Sequence, residues 1–364
     1  MAELRYDSGI VESFLVLLRS GMGKGQPESF PDLSEEEWND ILSLAKIQTV
    51  TGLVYQGAAT LPSSVEVPES VSLQLMLESS RIKSRSLEIL SALKEIFAIL
   101  REKGFHPQVL KGPSVARMYP HPELRESGDL DIFLPLSEYG EAVFVLGDPS
   151  FTLPDGSVHY NWKGVDVDLH RHYFDLHVGE DNLPPVPSPY AVLVLLSSHI
   201  LKHCMGPGIG LRQMCDMAMA YDFFSGNRAK GNDNRGAASD APLDRELLLR
   251  YYEKAGILKW NALLSSFIKE YLGGNGYPFT DPDGKEGELP SPSFLMESIL
   301  KGGNFGHYDA ERESAIHGGA FRRKLHTLWL YLKKMPFSLK YAPSEFWSES
   351  RELTLGNLRK KDIL

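Results

Sequence analysis

The spacing of apolar positions changes twice along the chain, and those changes divide it. The first hundred residues carry helical spacing. Ser34 followed three residues later by Glu37 is a capping-box start, and Trp38, Ile41, Leu42 and Ala45 then share one helical face. A longer helix is predicted over 72–103, with Leu90, Leu93, Phe97 and Leu100 on one side and Gly104 as its stop. Beyond Pro107 the period falls to two. An extended stretch at 107–110 leads through Lys111, Gly112, Pro113 and Ser114 into a short helix ending near 119–120, and 129–134 alternates as a half-buried strand. A helix at 137–146 precedes a predicted hairpin, 157–162 and 165–170, turning at Lys163-Gly164.

Helical spacing returns at Ser188-Pro189, a cap followed by proline at the first helical position. Helices are predicted at 190–203, 211–224, 244–255 and 258–272, the last stopped by Gly273. The stretches 225–242 and 273–293, rich in small, polar and turn residues, read as loops, and no internal repeat is present. Helix and strand interleave only in the middle of the chain. The expected architecture is therefore α+β, a small mixed sheet flanked by helical segments on its N- and C-terminal sides. The expected division is a helical region at 1–104 whose last helix packs on the core, an α/β core at 105–180, a helical domain at 181–275, and a loop with a basic helical arm at 276–364.

Composition narrows the classes. A chain of 364 residues that is 42% hydrophobic and 24% charged is ordinary globular material. Two cysteines outside any CxxC pair exclude a disulfide framework and fit a reducing, cytoplasmic setting. The N-terminus has no basic start followed by an apolar run, and the apolar stretch 190–196 is too short to span a bilayer. A formal charge of −10 argues against sequence-independent binding of long nucleic acid. The segment 321–364 reverses the sign locally, with ten Lys/Arg against four Asp/Glu. Arg322, Arg323, Lys324, Lys333, Lys334 and Lys340 interleave there with Trp329 and Tyr331, as in an RNA- or membrane-surface helix, and packing onto the acidic body is the favoured reading.

The chemistry concentrates in three aspartates. Asp129 and Asp131 stand two apart on a predicted strand and so share a face. Like charges at that spacing need neutralising, and a divalent cation with oxygen ligands does so; the bland alternative is a solvated edge strand. On the last predicted strand Asp166, Asp168 and His170 share one face and Val165, Val167 and Leu169 the other, so either acid can complete a carboxylate cluster. Gly112 permits a tight turn upstream, where backbone N–H groups can meet a phosphate.

These residues resemble the polymerase β-like nucleotidyltransferase superfamily, and within it a bacterial branch of uncharacterised nucleotidyltransferases. The resemblance rests on Leu110-Lys111-Gly112, on Arg125 shortly before Asp129 and Asp131, and on Asp168-Leu169-His170. It is close over 110–171 and looser to 224. It implies a polymerase β-like core in the sheet, with Asp129, Asp131 and Asp168 as Mg²⁺ (or Mn²⁺) ligands and catalytic carboxylates. It also implies Lys111, Gly112, Ser114, Arg125 and His170 around the nucleotide. The implied reaction is two-metal, in-line transfer of a nucleoside monophosphate from a nucleoside triphosphate to an unidentified small or macromolecular acceptor, RNA being possible but not favoured. Pro113, directly after Gly112, removes one backbone donor. It leaves a second reading, a catalytically silent nucleotide- or partner-binding module on the same fold.

Other residues carry blander expectations. Lys111 and Arg125 can as well pair with Glu126 or another acid, and Arg117 is a weaker phosphate candidate. His199 and His203, four apart, lack the glutamate that follows the first histidine in metalloproteases and read as core or interface residues. Arg212 and Asp216 suit a helix salt bridge, the stretch 281–284 a turn, and Cys204 and Cys215 the core.

Overall fold

The computed structural model describes residues 6–153, 155–206, 208–226, 243–280, 289–306, 308, 320–348 and 350–351. Most of the loop expected at 225–242, the turn at 281–284, and the side chains of Arg322, Arg323, Lys324 and Tyr331 lie outside the described residues. The chain divides into two compact units, each made of separated stretches.

The first unit comprises Met1–Tyr173, Leu211–Ala241 and Tyr271–Gly273. It opens with α1 (Ser8–Gly21), α2 (Glu35–Ile47), α3 (Thr51–Ala58) and the long α4 (Glu69–Glu102). The capping box expected at Ser34 is present in full, with the Glu37 carboxylate 2.7 Å from the Ser34 backbone N–H. The sequence pattern did not reveal α1 or α3. The first is capped by Asp7 and buries Ile10, Phe14, Leu17 and Leu18. The second holds two glycines in eight residues, which lowers its intrinsic preference; tertiary packing forms it instead. A Cβ on Gly57 would collide with the Leu17 carbonyl, and one on Gly21 with that of Leu53, so these glycines let α1 and α3 meet backbone to backbone.

After α4 come β1 (Gln108–Val109), α5 (Pro113–Ala116), β2 (Leu130–Phe133), α6 (Leu136–Leu146), β3 (Phe151–Thr152), β4 (Val158–Trp162) and β5 (Val165–His170). The strands form one sheet in the order β1-β2-β5-β4-β3, with β2 and β5 parallel and every other pair antiparallel. This is the small mixed sheet among helices that the alternation predicted. One face is apolar: Leu130, Ile132, Val158, Tyr160, Val165, Val167 and Leu169 pack with Ile89, Ala92, Ile96 and Leu100 of α4 and Ala142 of α6. Burying each large aliphatic side chain there contributes about 1.5–3 kcal/mol. The sheet is thereby fixed on its helices and turns its other face, with the acids, away from them. The unit is completed by α8 (Leu211–Ser225), whose first N–H donates to the Gln48 side chain at 3.0 Å.

The second unit comprises Phe174–Gly210, Pro242–Glu270 and Gly274–Leu364. It holds α7 (Pro189–Met205), α9 (Arg245–Lys254), nearly all of α10 (Leu258–Leu272), α11 (Ser293–Gly302) and the helix Ala320–Tyr341. Ser188 caps α7 and Pro189 is its first residue, as the sequence indicated. Lys334 donates to the carbonyls of Cys204 and Gly206 at the end of α7, so this part of the basic helix packs inside its own unit. His199 and His203 meet edge to face at 4.4 Å between ring centroids, and His199 faces Asp175 at 3.1 Å, as structural histidines do. No helix among the described residues is long and apolar enough to cross a membrane.

Candidate active site

The parallel pairing of β2 and β5 sets Asp131 opposite Asp168 and Phe133 opposite His170. Residues in register on neighbouring strands point the same way, so both carboxylates emerge on the face opposite the apolar one that packs on α4 and α6. The Asp131 side chain is only 6% exposed, and its Oδ1 has two close neighbours, the His170 ring nitrogen Nε2 at 2.7 Å and the Lys111 ammonium at 3.3 Å. One ligand atom from each of Asp131, Asp168 and His170 lies within 4.8 Å of the others. Two carboxylate oxygens and an imidazole nitrogen at that separation suit a divalent cation.

Asp168 is turned toward a residue that the sequence reading did not single out. His159 is its register partner on β4, and His159 Nδ1 stands 2.7 Å from Asp168 Oδ1. The same ring lies 3.5 Å from Asp166 through Nε2 and stacks on Phe151 of β3 at 4.4 Å. Burial pushes the Asp168 carboxyl above its ordinary value, with the Asp131 charge adding to it and the His159 hydrogen bond working against it. Asp166 is exposed and pairs with Asn161 at 3.4 Å; the ladder brings Asp168, rather than Asp166, to Asp131. Asp129 falls one residue before β2, exposed, and is not among the three residues whose ligand atoms converge.

The turn before the sheet holds Lys111 in place. Gly112 has φ +63° and ψ −111°, a conformation that only glycine adopts freely, and Leu110 donates to the Asp131 carbonyl at 3.0 Å. The chain therefore leaves β1 beside Asp131 and immediately turns into α5. Ser114 donates its hydroxyl to the Leu110 carbonyl at 3.2 Å, closing the turn on itself. Arg117 is exposed and donates back to the Ser114 carbonyl.

Arg125 is 5% exposed and grips Asp216 of α8 with two bonds, Nε–H to Oδ1 at 3.0 Å and an Nη2 hydrogen to Oδ2 at 2.6 Å. Ser127 accepts from its Nη1 at 2.6 Å, and Tyr119 donates to Asp216 Oδ1 at 2.8 Å. Burial pulls the guanidinium pKa down, but the Asp216 charge and hydrogen bonds outweigh it and the net shift is upward. Of the roles open to Arg125, the geometry provides an acid partner, and it is Asp216 rather than Glu126. Asp216, expected to bridge to Arg212 along its own helix, holds Arg125 from 91 residues away. Arg212 donates to the Glu126 carbonyl at 3.1 Å. Cys215 is buried and Cys204 partly so, both free, and burial pushes the Cys204 thiol up to about 12, far from a nucleophile's value.

A family model described as "Uncharacterised nucleotidyltransferase" matches residues 34–232, more than half of the chain. The chain belongs to that nucleotidyltransferase family. The match begins at the cap of α2 and takes in the whole sheet and α8, so the Asp131–Asp168–His170 group and the Arg125–Asp216 pair both fall inside it. No curated protein and no solved structure matches the chain. The nucleotidyltransferase is thus an enzyme by family, with its chemistry readable from its own residues.

Proposed function

We propose that this nucleotidyltransferase transfers a nucleoside monophosphate from a nucleoside triphosphate to an acceptor hydroxyl, with a divalent cation, Mg²⁺ or Mn²⁺, on the carboxylate-bearing face of the sheet. The observation that carries the reading is the register of Asp131 with Asp168 on parallel strands, with His170 beside them. Asp131 and Asp168 would hold the cation, and Asp129, exposed at the entry to the same strand, is retained as the third acid. When bound, the ion neutralises triphosphate charge and acidifies the acceptor hydroxyl.

The chain's own groups do the rest. Lys111, fixed beside Asp131 by the Gly112 turn, faces the triphosphate with its ammonium group. Asp168, with its carboxyl held above the usual aspartate value, accepts the hydroxyl proton while His159 holds it in place. The acceptor oxygen bonds to the α-phosphorus, the bond from that phosphorus to the bridging oxygen breaks, and pyrophosphate leaves with the electron pair. Positioning and charge compensation supply the acceleration, with no covalent enzyme intermediate. Ser114 shapes the turn, and Arg125 supports the site from below through α8.

The test is pyrophosphate release from each of the four nucleoside triphosphates, with Mg²⁺ or Mn²⁺ and a panel of hydroxyl acceptors. Asp131→Asn and Asp168→Asn should each abolish release while circular dichroism stays unchanged. Full release from Asp131→Asn would end the proposal.

A further inference from the structure

The two nitrogens of His170 face different partners. Nε2 points to Asp131 Oδ1 at 2.7 Å, among the converging ligand atoms, while Nδ1 points away to Ser157 Oγ at 3.4 Å. Ser157 is 1% exposed, and its backbone N–H donates to Asp155 Oδ1 at 2.9 Å, so the hydroxyl is held in a fixed place at the start of β4. A metal-bound histidine divides its ring in this way: one nitrogen on the ion, the other donating to an outer partner that fixes the tautomer. With the Nε2 proton displaced by an ion and the remaining ring proton on Nδ1 shared with Ser157 Oγ, the Nε2 lone pair would meet the ion beside the two carboxylates.

That division bears on which ion the site takes. Mg²⁺ dehydrates reluctantly and is bound through oxygen, whereas imidazole nitrogen suits first-row transition ions. We infer that His170 is a metal ligand, oriented by Ser157, and that it makes the site favour a divalent transition ion of the Mn²⁺ kind over Mg²⁺. The inference rests on the metal-centre reading above and narrows it: the donor set is two carboxylate oxygens and one ring nitrogen. Sequence spacing placed His170 on the same face as Asp168, but only the sheet pairing brings its Nε2 to Asp131.

The experiment uses the full chain and the metals alone, without nucleotide. Calorimetry should give at least about ten-fold tighter binding for Mn²⁺ than for Mg²⁺, because Mg²⁺ gives up a water to a ring nitrogen more reluctantly. Pulsed electron paramagnetic resonance of the Mn²⁺-loaded protein should show modulation from a directly bound nitrogen. His170→Gln should remove that modulation and shrink the Mn²⁺-to-Mg²⁺ ratio toward one. Ser157→Ala should weaken Mn²⁺ about 10–100-fold, as loss of an outer partner does, with the nitrogen signal reduced. Mn²⁺ bound without nitrogen modulation in the unaltered protein would overturn this inference and leave the carboxylate centre standing. Absence of any bound Mn²⁺ or Mg²⁺ would overturn both. The wild-type spectrum decides the matter even if neither variant folds.

Discussion

His159 and Asp168 face each other across the β4–β5 ladder, with the ring nitrogen Nδ1 2.7 Å from the carboxylate. The contact fixes one oxygen of Asp168. His159→Phe keeps the stack on Phe151 but removes this bond. Divalent-cation affinity by calorimetry should fall about 10–100-fold, the usual cost of losing an outer partner. A thermal midpoint close to the parent's would assign the loss to orientation. Unchanged affinity would mean that Asp168 holds its position without help.

Arg125 and Asp216 make a buried, two-pronged pair. Removing one member strands the other charge in the interior, which costs about 3–5 kcal/mol. Arg125→Ala should therefore shift the urea midpoint sharply downward. A shift of only a few tenths of a kcal/mol would show that water reaches Asp216.

Gly112 takes a backbone conformation with φ +63°. A Cβ there meets nothing closer than the Asp129 carbonyl at 3.5 Å, so the penalty for Gly112→Ala is conformational rather than a clash. Such strain costs about 1–3 kcal/mol and should appear in the unfolding midpoint. If the chain relaxes instead, Lys111 moves from Asp131, and affinity for the triphosphate falls while stability is kept. A variant unchanged in both properties would refute this account of the turn.

Glu126 accepts from the Thr51 N–H at 2.6 Å and so serves the start of α3 from far along the chain. Burial raises its carboxyl above the ordinary 4.5, outweighing the backbone bonds from Thr51 and Gly52 and the Arg212 charge. The folded state therefore holds the Glu126 proton more tightly than the unfolded chain does. Its contribution to stability is complete below the unfolded value and is lost as pH rises through the higher folded one. Glu126→Gln lacks this titration. Urea unfolding across acid to neutral pH should show the parent losing ground to the variant as pH rises, then a constant difference. A parent that gains ground instead would reverse the sign and refute it.

The long helices and four of the five strands were legible because their apolar spacing is unmixed, whereas β3, two exposed residues, carries no alternation to read. The hairpin turn at Lys163-Gly164 even fixes the partner of each residue, since Trp162 opposite Val165 places His159 opposite Asp168. The helix α3 was hidden because its glycines serve close backbone contacts, Gly57 with α1 and Gly52 with the Leu124 carbonyl, which no local pattern announces. The face shared by Asp168 and His170 could be read from alternation. Their approach to Asp131 could not, because it depends on a parallel pairing between strands separated by α6 and the hairpin. Asp216 was assigned to its helical neighbour for the same reason: short-range rules do not see a guanidinium 91 residues away.

The first unit leaves the chain at Tyr173 and resumes at Leu211, and this interruption has a consequence for how the protein is made. Arg125 emerges from the ribosome well before Asp216, an interval on the order of ten seconds at ordinary elongation rates. Until then the nascent chain has the sheet's residues but lacks the carboxylate that neutralises the Arg125 guanidinium. A fragment ended at Tyr173 would stay in that condition permanently. The acid site is thus written in the first half of the chain, and its foundation arrives only with α8.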